Sequence, residues 1–210
     1  MMNVLDRLRR VPDRILDGIV ERRLGIATRG YKDVGVEGHV HYGTIGYRGS
    51  MAILRSLNDT AGKVLVDLGC GKGRFLSCAA QFPFAKVIGL EYDKELWEVG
   101  LRNAGRLRRR VCEIEIINCL AQEFTYGAGS YYYLFNPFSA EILLQVIGKI
   151  GRERTGPVVL IYVNPRHDYV LHGIPWLEKY DSWDRGRHGV WYPASFWRCR
   201  ETLAEGVAAK

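Results

Sequence analysis

Along most of the chain, short apolar runs alternate with longer stretches in which apolar residues recur every three or four positions. The runs are rich in valine, isoleucine and tyrosine and end in turn residues, which is typical of strands buried on both faces of a sheet. They begin at Val64 and then cover 86–93, 112–119, 131–138 and 156–165. The periodic stretches predict helices over 50–57, from Arg74 onward, over 94–109 and over 140–150. This order predicts an α/β fold with a doubly wound, mostly parallel sheet.

The C-terminal tail departs from the alternation. Its sequence over 176–200, "WLEKYDSWDRGRHGVWYPASFWRCR", holds two aromatic-rich extended pieces around "DRGRHG". Such a pattern predicts an antiparallel hairpin that completes a seven-stranded sheet. The tail tryptophans are expected in the core, with a wall around an apolar substrate as the alternative; they are Trp176, Trp183, Trp191 and Trp197.

The first fifty residues carry a different pattern. An apolar stripe at helical spacing runs through Val4, Leu8, Val11, Ile15 and Ile19. It predicts two short helices, the second with Pro12 in its first turn, and acids within it favour core or lid packing over a membrane anchor. Residues 30–50 are rich in glycine and tyrosine and predict an irregular loop. We therefore expect N-terminal helices and a lid or substrate loop over 1–50, and a ligand-binding domain over 51–210.

The stretch "VDLGCGKGRFL" carries the most specific signal. Gly69, Gly71 and Gly73 follow a buried strand at every second position, and a helix is predicted to begin at Arg74. Glycine lets the backbone turn sharply and approach a ligand without a Cβ in the way. A strand, a glycine loop and a helix start predict a small ligand bound over the helix N-terminus.

Other strand ends add polar residues to the same predicted site, because the carboxyl ends of parallel strands share one edge of the sheet. Glu91 ends the second strand, 18 residues after Gly73, and is placed to accept hydrogen bonds from a ribose. The third strand ends at Asn118 and Cys119, with Leu120 next, and could flank a base. The fourth strand ends in "NPF". The ligand is therefore expected to contain a ribose and a base.

The glycine spacing separates two classes of ligand. A nicotinamide dinucleotide fingerprint is G-x-G-x-x-G, whereas this chain has G-x-G-x-G with Asp67 two residues before the first glycine. A carboxylate there repels a pyrophosphate and attracts an ammonium group. S-adenosylmethionine offers that ammonium together with a sulfonium, a ribose and an adenine, so it is the favoured ligand.

Taken together, "VDLGCGKGRFL", "VIGLEYD" and "YLFNPF" resemble motifs of the class I, Rossmann-like S-adenosylmethionine-dependent methyltransferases, over about residues 60–165. The resemblance implies the seven-stranded methyltransferase fold, the cofactor S-adenosyl-L-methionine, and a methyl-acceptor substrate. The cofactor-binding residues it implies are Thr44, Asp67, Gly69, Cys70, Gly71, Gly73, Glu91, Tyr92, Asn118, Cys119, Leu120 and Asn136. Relatives carry a tyrosine–proline–threonine lid where this chain reads "HYGTIGYRG", so Thr44 and Tyr42 are the lid candidates here.

The same resemblance points to Asn136, Pro137 and Phe138 as catalytic residues. Relatives that methylate amines use an N-P-P-aromatic motif, in which carbonyl oxygens accept hydrogen bonds from the amine and the aromatic ring stacks on the target. We favour an amine of a protein lysine or a small molecule. An O- or C-methyltransferase of a small metabolite and a non-catalytic cofactor-binding module are the alternatives, with nucleic-acid methylation less favoured. Asn136 could instead cap the next helix, and His167 is a weaker candidate for a general base.

Composition adds limits on partners and compartment. The net charge is +7, and arginines crowd the end of the helix predicted over 94–109, which indicates either a polyanion patch or, as favoured here, a solvated helix end. The five cysteines form no C-x-x-C pair, which favours reduced thiols in the cytoplasm and no metal site. No secretory signal or membrane span is predicted. The protein is expected to be a monomer or a homodimer.

Overall fold

Seven strands form one mixed sheet in the order β3-β2-β1-β4-β5-β7-β6. The computed structural model describes residues 12–30 and 43–200. The strands are β1 Val64–Leu68, β2 Lys86–Glu91, β3 Glu113–Asn118, β4 Tyr131–Phe135, β5 Val159–Val163, β6 Leu177–Trp183 and β7 Ala194–Cys199. The first five strands are parallel, and β7 pairs antiparallel with both β5 and β6. The predicted fold class, including the antiparallel C-terminal hairpin, is confirmed.

Helices cover both faces of this sheet. They are α1 Asp13–Leu24, α2 Tyr47–Ser56, α3 Arg74–Ala79, α4 Lys94–Arg106, α5 Ala140–Glu153 and α6 Asp168–His172. The sequence pattern did not predict α6 or a short 3-10 helix over Arg187–Gly189. The strand order reverses between β1 and β4, and ligands of such sheets bind at the carboxyl edge beside this reversal.

The fourth and fifth strands end earlier than the apolar pattern suggests, and the backbone supplies the reason. The fourth strand stops at Phe135 because Asn136 has a φ of +43°, and the fifth stops at Val163 because Asn164 has a φ of +53°. Left-handed backbone cannot continue a strand, and asparagine tolerates it better than most residues. Both asparagines therefore turn out of the sheet at its carboxyl edge.

Aromatic side chains fill much of the core on the two faces of the sheet. On one face, the Tyr133 ring stacks on Phe75 with 3.5 Å between ring centroids. On the other face, Tyr132 and Trp197 are buried. Trp183 is buried as predicted, but Trp191 is 62% exposed. The prediction that all four tail tryptophans lie in the core is therefore wrong for Trp191, whose ring lies beneath the guanidinium group of Arg185.

The orientation of α1 contradicts the prediction made from its apolar stripe. Ile15 and Ile19 are 57% and 52% exposed, whereas Asp17 and Glu21 are buried. The helix turns its acidic side inward because a buried arginine, Arg74, lies beneath it and binds both carboxylates. Val4, Leu8 and Val11 of the same stripe lie outside the described residues.

Three further observations bear on the composition-based predictions. All five cysteines are free thiols. Within residues 12–30 and 43–200, no three His, Cys, Asp or Glu side chains are grouped so that they could hold a metal ion. Over the same ranges, no helix is long and apolar enough to cross a membrane.

Candidate functional site

The glycine loop connects β1 to α3 at the carboxyl edge of the sheet. Gly69, Gly71 and Gly73 have φ values of +81°, +53° and +80°, a region that residues with a Cβ rarely adopt. The loop is anchored to the neighbouring strand because the amides of Gly69 and Cys70 both donate to the Leu90 carbonyl, at 2.9 Å each. Each of the three regularly spaced glycines therefore lies at a position whose left-handed backbone disfavours a Cβ.

Close packing around this loop explains further glycines. A Cβ on Gly69 would lie 2.9 Å from the Cβ of Pro137, so the loop and the "NPF" segment are in contact. A Cβ on Gly89 would lie 2.6 Å from the Cys70 sulfur, and one on Gly100 would lie 3.1 Å from the Gly71 carbonyl. Gly89 in β2 and Gly100 in α4 thus make room for the loop. Sequence reasoning missed both, because nothing in their local pattern marks a close approach.

Glu91 holds the loop from the end of β2. Its side chain is buried, one carboxylate oxygen accepts from the Gly71 amide at 2.8 Å, and the other accepts from the Asp93 amide at 2.8 Å. Burial raises the pKa of Glu91, and these amide hydrogen bonds counteract only part of the effect. Each oxygen retains acceptor capacity, since an ionised carboxylate offers about four lone-pair sites. Glu91 can therefore position the loop and still accept hydrogen bonds from a bound ribose.

Asp67 lies in β1 beside Gly89 of β2 and Tyr133 of β4, and only 2% of it is exposed. No hydrogen bond from a described residue reaches its carboxylate. Burial, and next the negative charge of Glu91, raise the pKa of Asp67 well above its ordinary value. A buried carboxylate without a donor is costly, and a bound cation would relieve that cost.

The residues predicted to flank an adenine lie at the end of β3. The Asn118 amide nitrogen donates to the carbonyls of Glu91 and Tyr92, at 2.8 and 3.0 Å. Asn118 therefore ties β3 to the end of β2 and positions the segment that bears Glu91. Cys119 and Leu120 are half-buried and follow it directly.

Asn136 leaves β4 next to the glycine loop and is 2% exposed. Its side-chain oxygen accepts a hydrogen bond from the Tyr162 hydroxyl at 2.7 Å, and that hydroxyl accepts from the His167 amide at 3.3 Å. This hydrogen bond holds the side-chain oxygen of Asn136 toward Tyr162. The alternative in which Asn136 caps the next helix is wrong, since Ser139 occupies that position and accepts from the Ile142 amide.

The other residues of the "NPF" motif and His167 are placed differently. Pro137 is half-buried against Gly69, whereas the Phe138 side chain is 4% exposed and packs in the core with Leu143 and Trp197. The Phe138 ring is buried, whereas the predicted stacking on a target needs an accessible ring face. His167 is half-buried and precedes α6, where its backbone amide reaches Tyr162.

The lid candidates lie only partly within the described residues. A Cβ on Gly43 would be 3.4 Å from the ring of Phe135, so this segment passes the end of β4. Thr44 is half-buried, and its hydroxyl donates to the carbonyl of Ile45 at 3.3 Å. Tyr42 lies outside the described residues.

A buried polar cluster joins α1 to the start of α3. We call it the Arg74 cluster; it consists of Asp17, Glu21, Thr28, Tyr47 and Arg74. The Arg74 guanidinium group donates to Asp17 at 2.5 Å, to Thr28 at 2.7 Å and to Glu21 at 3.4 Å, and it lies 4.7 Å from the Tyr47 ring centroid. The helix that follows the glycine loop is thereby fixed to the N-terminal helix.

Hydrogen bonds decide the direction in which the pKa of Glu21 is shifted in this cluster. Burial by itself would raise the pKa of Glu21, but hydrogen bonds from Thr28 and Arg29 and the charge of Arg74 outweigh it, so the pKa is lowered. Sequence reasoning missed Arg74, Asp17 and Glu21. The only local signal was an arginine directly after the third glycine, at a position where a helix face was expected to be buried.

Solved structures with a similar fold include methyltransferases that use S-adenosylmethionine. One from Aquifex aeolicus has a TM-score of 0.58 and 11% identity, over 72% of this chain and 89% of that chain. An O-methyltransferase from Thermotoga maritima has a TM-score of 0.58 and 16% identity, over 77% of this chain and 69% of that chain. An RNA methyltransferase from Salinibacter ruber, solved with S-adenosyl-L-homocysteine, has a TM-score of 0.52 and 19% identity, over 76% of this chain and 95% of that chain.

No protein-family model matches the chain, and no curated protein matches its sequence. At the identities of the solved structures, the likeness establishes the fold. The chain therefore has the fold of the class I S-adenosylmethionine-dependent methyltransferases, and the predicted resemblance is confirmed at that level.

Proposed function

We propose that this protein binds S-adenosyl-L-methionine on the glycine loop and transfers its methyl group to an acceptor at the carboxyl edge of the sheet. The observation that carries this proposal is the pair Asp67 and Glu91 beside three left-handed glycines, at the strand-order reversal. The fold adds support, since its solved neighbours use this cofactor and one was solved with the demethylated product bound.

The residues present fit the cofactor. Asp67 offers a buried carboxylate, without a donor among the described residues, to the ammonium group. Glu91 offers two carboxylate oxygens to the ribose, and Cys119 and Leu120 offer half-buried apolar surface to the base. Gly69 and Gly71 leave backbone, rather than side chains, next to the methionine part. When bound, S-adenosylmethionine supplies a methyl group activated by its sulfonium.

For the acceptor, we propose an amine nitrogen of a protein lysine or a small molecule. Such a nitrogen must lose a proton before it can attack, so it needs hydrogen-bond acceptors rather than cations around it. Asn136 contributes its side-chain oxygen, which Tyr162 holds in place, and Pro137, whose ring lies next to Gly69 of the loop, contributes its backbone carbonyl. Holding the nitrogen in line with the methyl group is worth several orders of magnitude in rate. Stacking of Phe138 on the acceptor stays a prediction, and it requires a buried ring to become accessible.

Isothermal titration with S-adenosyl-L-homocysteine, and in parallel with NADH, tests the cofactor. We expect binding of the former alone, weakened about tenfold to a hundredfold by Glu91→Gln, which removes a charged acceptor. Glu98→Gln, an exposed residue of α4, is the matched control and should bind as the unaltered protein does. Preference for NADH, or no binding by folded protein, would contradict the proposal.

A second experiment tests transfer itself. Methyl-labelled S-adenosylmethionine is incubated with the full chain and lysate fractions, and the product linkage is determined chemically. An N-methylated product formed more slowly by Asn136→Ala supports the amine assignment. An O- or C-methylated product would replace it with the small-metabolite alternative. Binding of S-adenosyl-L-homocysteine with no product in any fraction would favour a non-catalytic module.

A further inference from the structure

The outward face of α1 combines aliphatic and basic side chains. Ile15 and Ile19 lie one helical turn apart and are more than half exposed. They border an open groove that is also lined by four arginines, Arg14, Arg22, Arg23 and Arg29. The same helix buries two carboxylates, and a buried polar group calls for a physical reason.

The reason is that α1 turns its carboxylates away from the outward face. Asp17 and Glu21 are buried in the Arg74 cluster, and Asp13 at the first turn pairs with Arg48 at 3.0 Å. Arg29 also binds Glu21, at 2.8 Å. What remains outward on α1 is Arg14, Arg22 and Arg23 around two isoleucines, without a carboxylate of this helix to neutralise them.

A second group of arginines reaches the end of the same helix. The Arg108 amide donates to the Leu24 carbonyl at 3.0 Å, and a Cβ on Gly25 would lie 3.4 Å from the Arg108 Nε. Arg109 and Arg110 follow and are exposed, as are Arg106 and the apolar Val111. The exposed arginines at and after the end of α4 thus adjoin the end of α1, whose last turn carries Arg22 and Arg23. We call the exposed residues of these two segments the basic face; they are Arg14, Ile15, Ile19, Arg22, Arg23, Arg106, Arg108, Arg109 and Arg110.

We propose that the basic face docks the protein on an anionic phospholipid surface. A helix that presents aliphatic residues flanked by arginines can insert the former below the headgroups while the latter contact the phosphates. The aliphatic chemistry favours lipid over RNA, for which aromatic stacking platforms are typical. The large exposed aromatic residues of the described chain are Tyr169, Tyr180 and Trp191, which belong to α6, β6 and the segment before β7, around the other edge of the sheet.

Cosedimentation of the full chain with vesicles tests this docking. Vesicles of phosphatidylcholine with phosphatidylglycerol are compared with pure phosphatidylcholine, at low and at high salt. We expect binding to the anionic vesicles alone, weakened by salt. Arg22→Glu with Arg23→Glu should lower the partition coefficient about tenfold or more, and Ile15→Ser with Ile19→Ser should lower it roughly fivefold.

Matched controls separate the surface from net charge and from folding. Arg55→Glu with Arg152→Glu makes the same charge change on exposed positions of α2 and α5, and Leu144→Ser removes an aliphatic residue that is also 52% exposed. Both controls should bind vesicles as the unaltered protein does, and circular dichroism checks that every variant is folded. Equal loss in the Arg55/Arg152 control would overturn the proposal, as would vesicle binding that the isoleucine variant leaves unchanged. Binding of a structured RNA without binding of anionic vesicles would also overturn it.

Discussion

Two buried carboxylate pairs lie close to α3, and their electrostatic states are opposite. Asp67 and Glu91 lie before the helix and share no cation among the described residues, so burial raises the pKa of both. Asp17 and Glu21 lie above the helix and share Arg74, and the pKa of Glu21 is lowered. A buried carboxylate pair with its own cation holds the fold together, whereas a pair without one is suited to receive a cation from a ligand.

We call Asp17 and Glu21 the compensated pair, and Asp67 and Glu91 the uncompensated pair. The largest expected effect comes from removing Arg74, the cation of the compensated pair. Arg74→Met leaves two buried carboxylates without their partner, so we expect the free energy of unfolding to fall by about 3–5 kcal/mol. Urea denaturation measures it, with Arg55→Met on the exposed side of α2 as the matched control. Adding Asp17→Asn and Glu21→Gln to the Arg74 variant should restore much of the loss. If it does not, repulsion between uncompensated carboxylates is not the cause.

The second prediction concerns the uncompensated pair, where a substitution should raise rather than lower the free energy of unfolding. Asp67→Asn removes a buried charge, so the ligand-free protein should become more stable by about 1–2 kcal/mol at neutral pH. The same variant should bind S-adenosyl-L-homocysteine more weakly, because the ammonium group loses its carboxylate. Thermal denaturation with and without the ligand measures both effects. Asp59→Asn, at a side chain that is 78% exposed, should change neither. A destabilised Asp67→Asn protein would contradict the assignment.

The pH dependence of stability should differ in sign between the two pairs. Asp67 has a raised pKa in the folded protein. Its contribution to stability is therefore full at a pH below its ordinary pKa of 3.8 and is lost as the pH rises through the folded pKa. Glu21 has a lowered pKa, so its contribution is present above its ordinary value of 4.5 and is lost as the pH falls through the folded pKa.

Urea denaturation over a range of pH measures this difference. The stability gained in Asp67→Asn should grow as the pH rises above about 4, whereas the loss in Arg74→Met should shrink as the pH falls toward and below about 4. Parallel pH profiles for the two variants would show that the two pairs are equivalent, against the comparison drawn above.

The smallest expected effect refines the compensated pair. Thr28 donates its hydroxyl to Glu21 at 2.7 Å and accepts from the Arg74 Nε at 2.7 Å. Thr28→Val should therefore lower the free energy of unfolding by about 1 kcal/mol. Thr155→Val, which removes an exposed hydroxyl that donates to the Gly127 carbonyl, should cost less. A loss as large as that in Arg74→Met would mean that the hydroxyl, rather than the charge, dominates the cluster.

Local pattern was sufficient where the physics is local or follows from topology. Alternating apolar runs and periodic stretches predicted the parallel strands and their helices, because each element shows its buried face in its own sequence. The sharp turn of the glycine loop followed from the glycine spacing, and the placement of Asp67 and Glu91 at one edge followed from the parallel order of the strands. The roles proposed for these residues, and the division of the chain near residue 50, stay predictions.

Only the tertiary structure decided what depends on a distant partner. The apolar stripe of α1 pointed to a buried face, yet Arg74, more than fifty positions away, draws Asp17 and Glu21 inward and leaves Ile15 outside. The burial of Phe138 and the hydrogen bond from Tyr162 to Asn136 depend likewise on residues that are remote in sequence. Apolar periodicity records the average preference of each side chain for water or core. One buried charge outweighs several such preferences, since an unpaired charge in the interior costs far more than an exposed isoleucine.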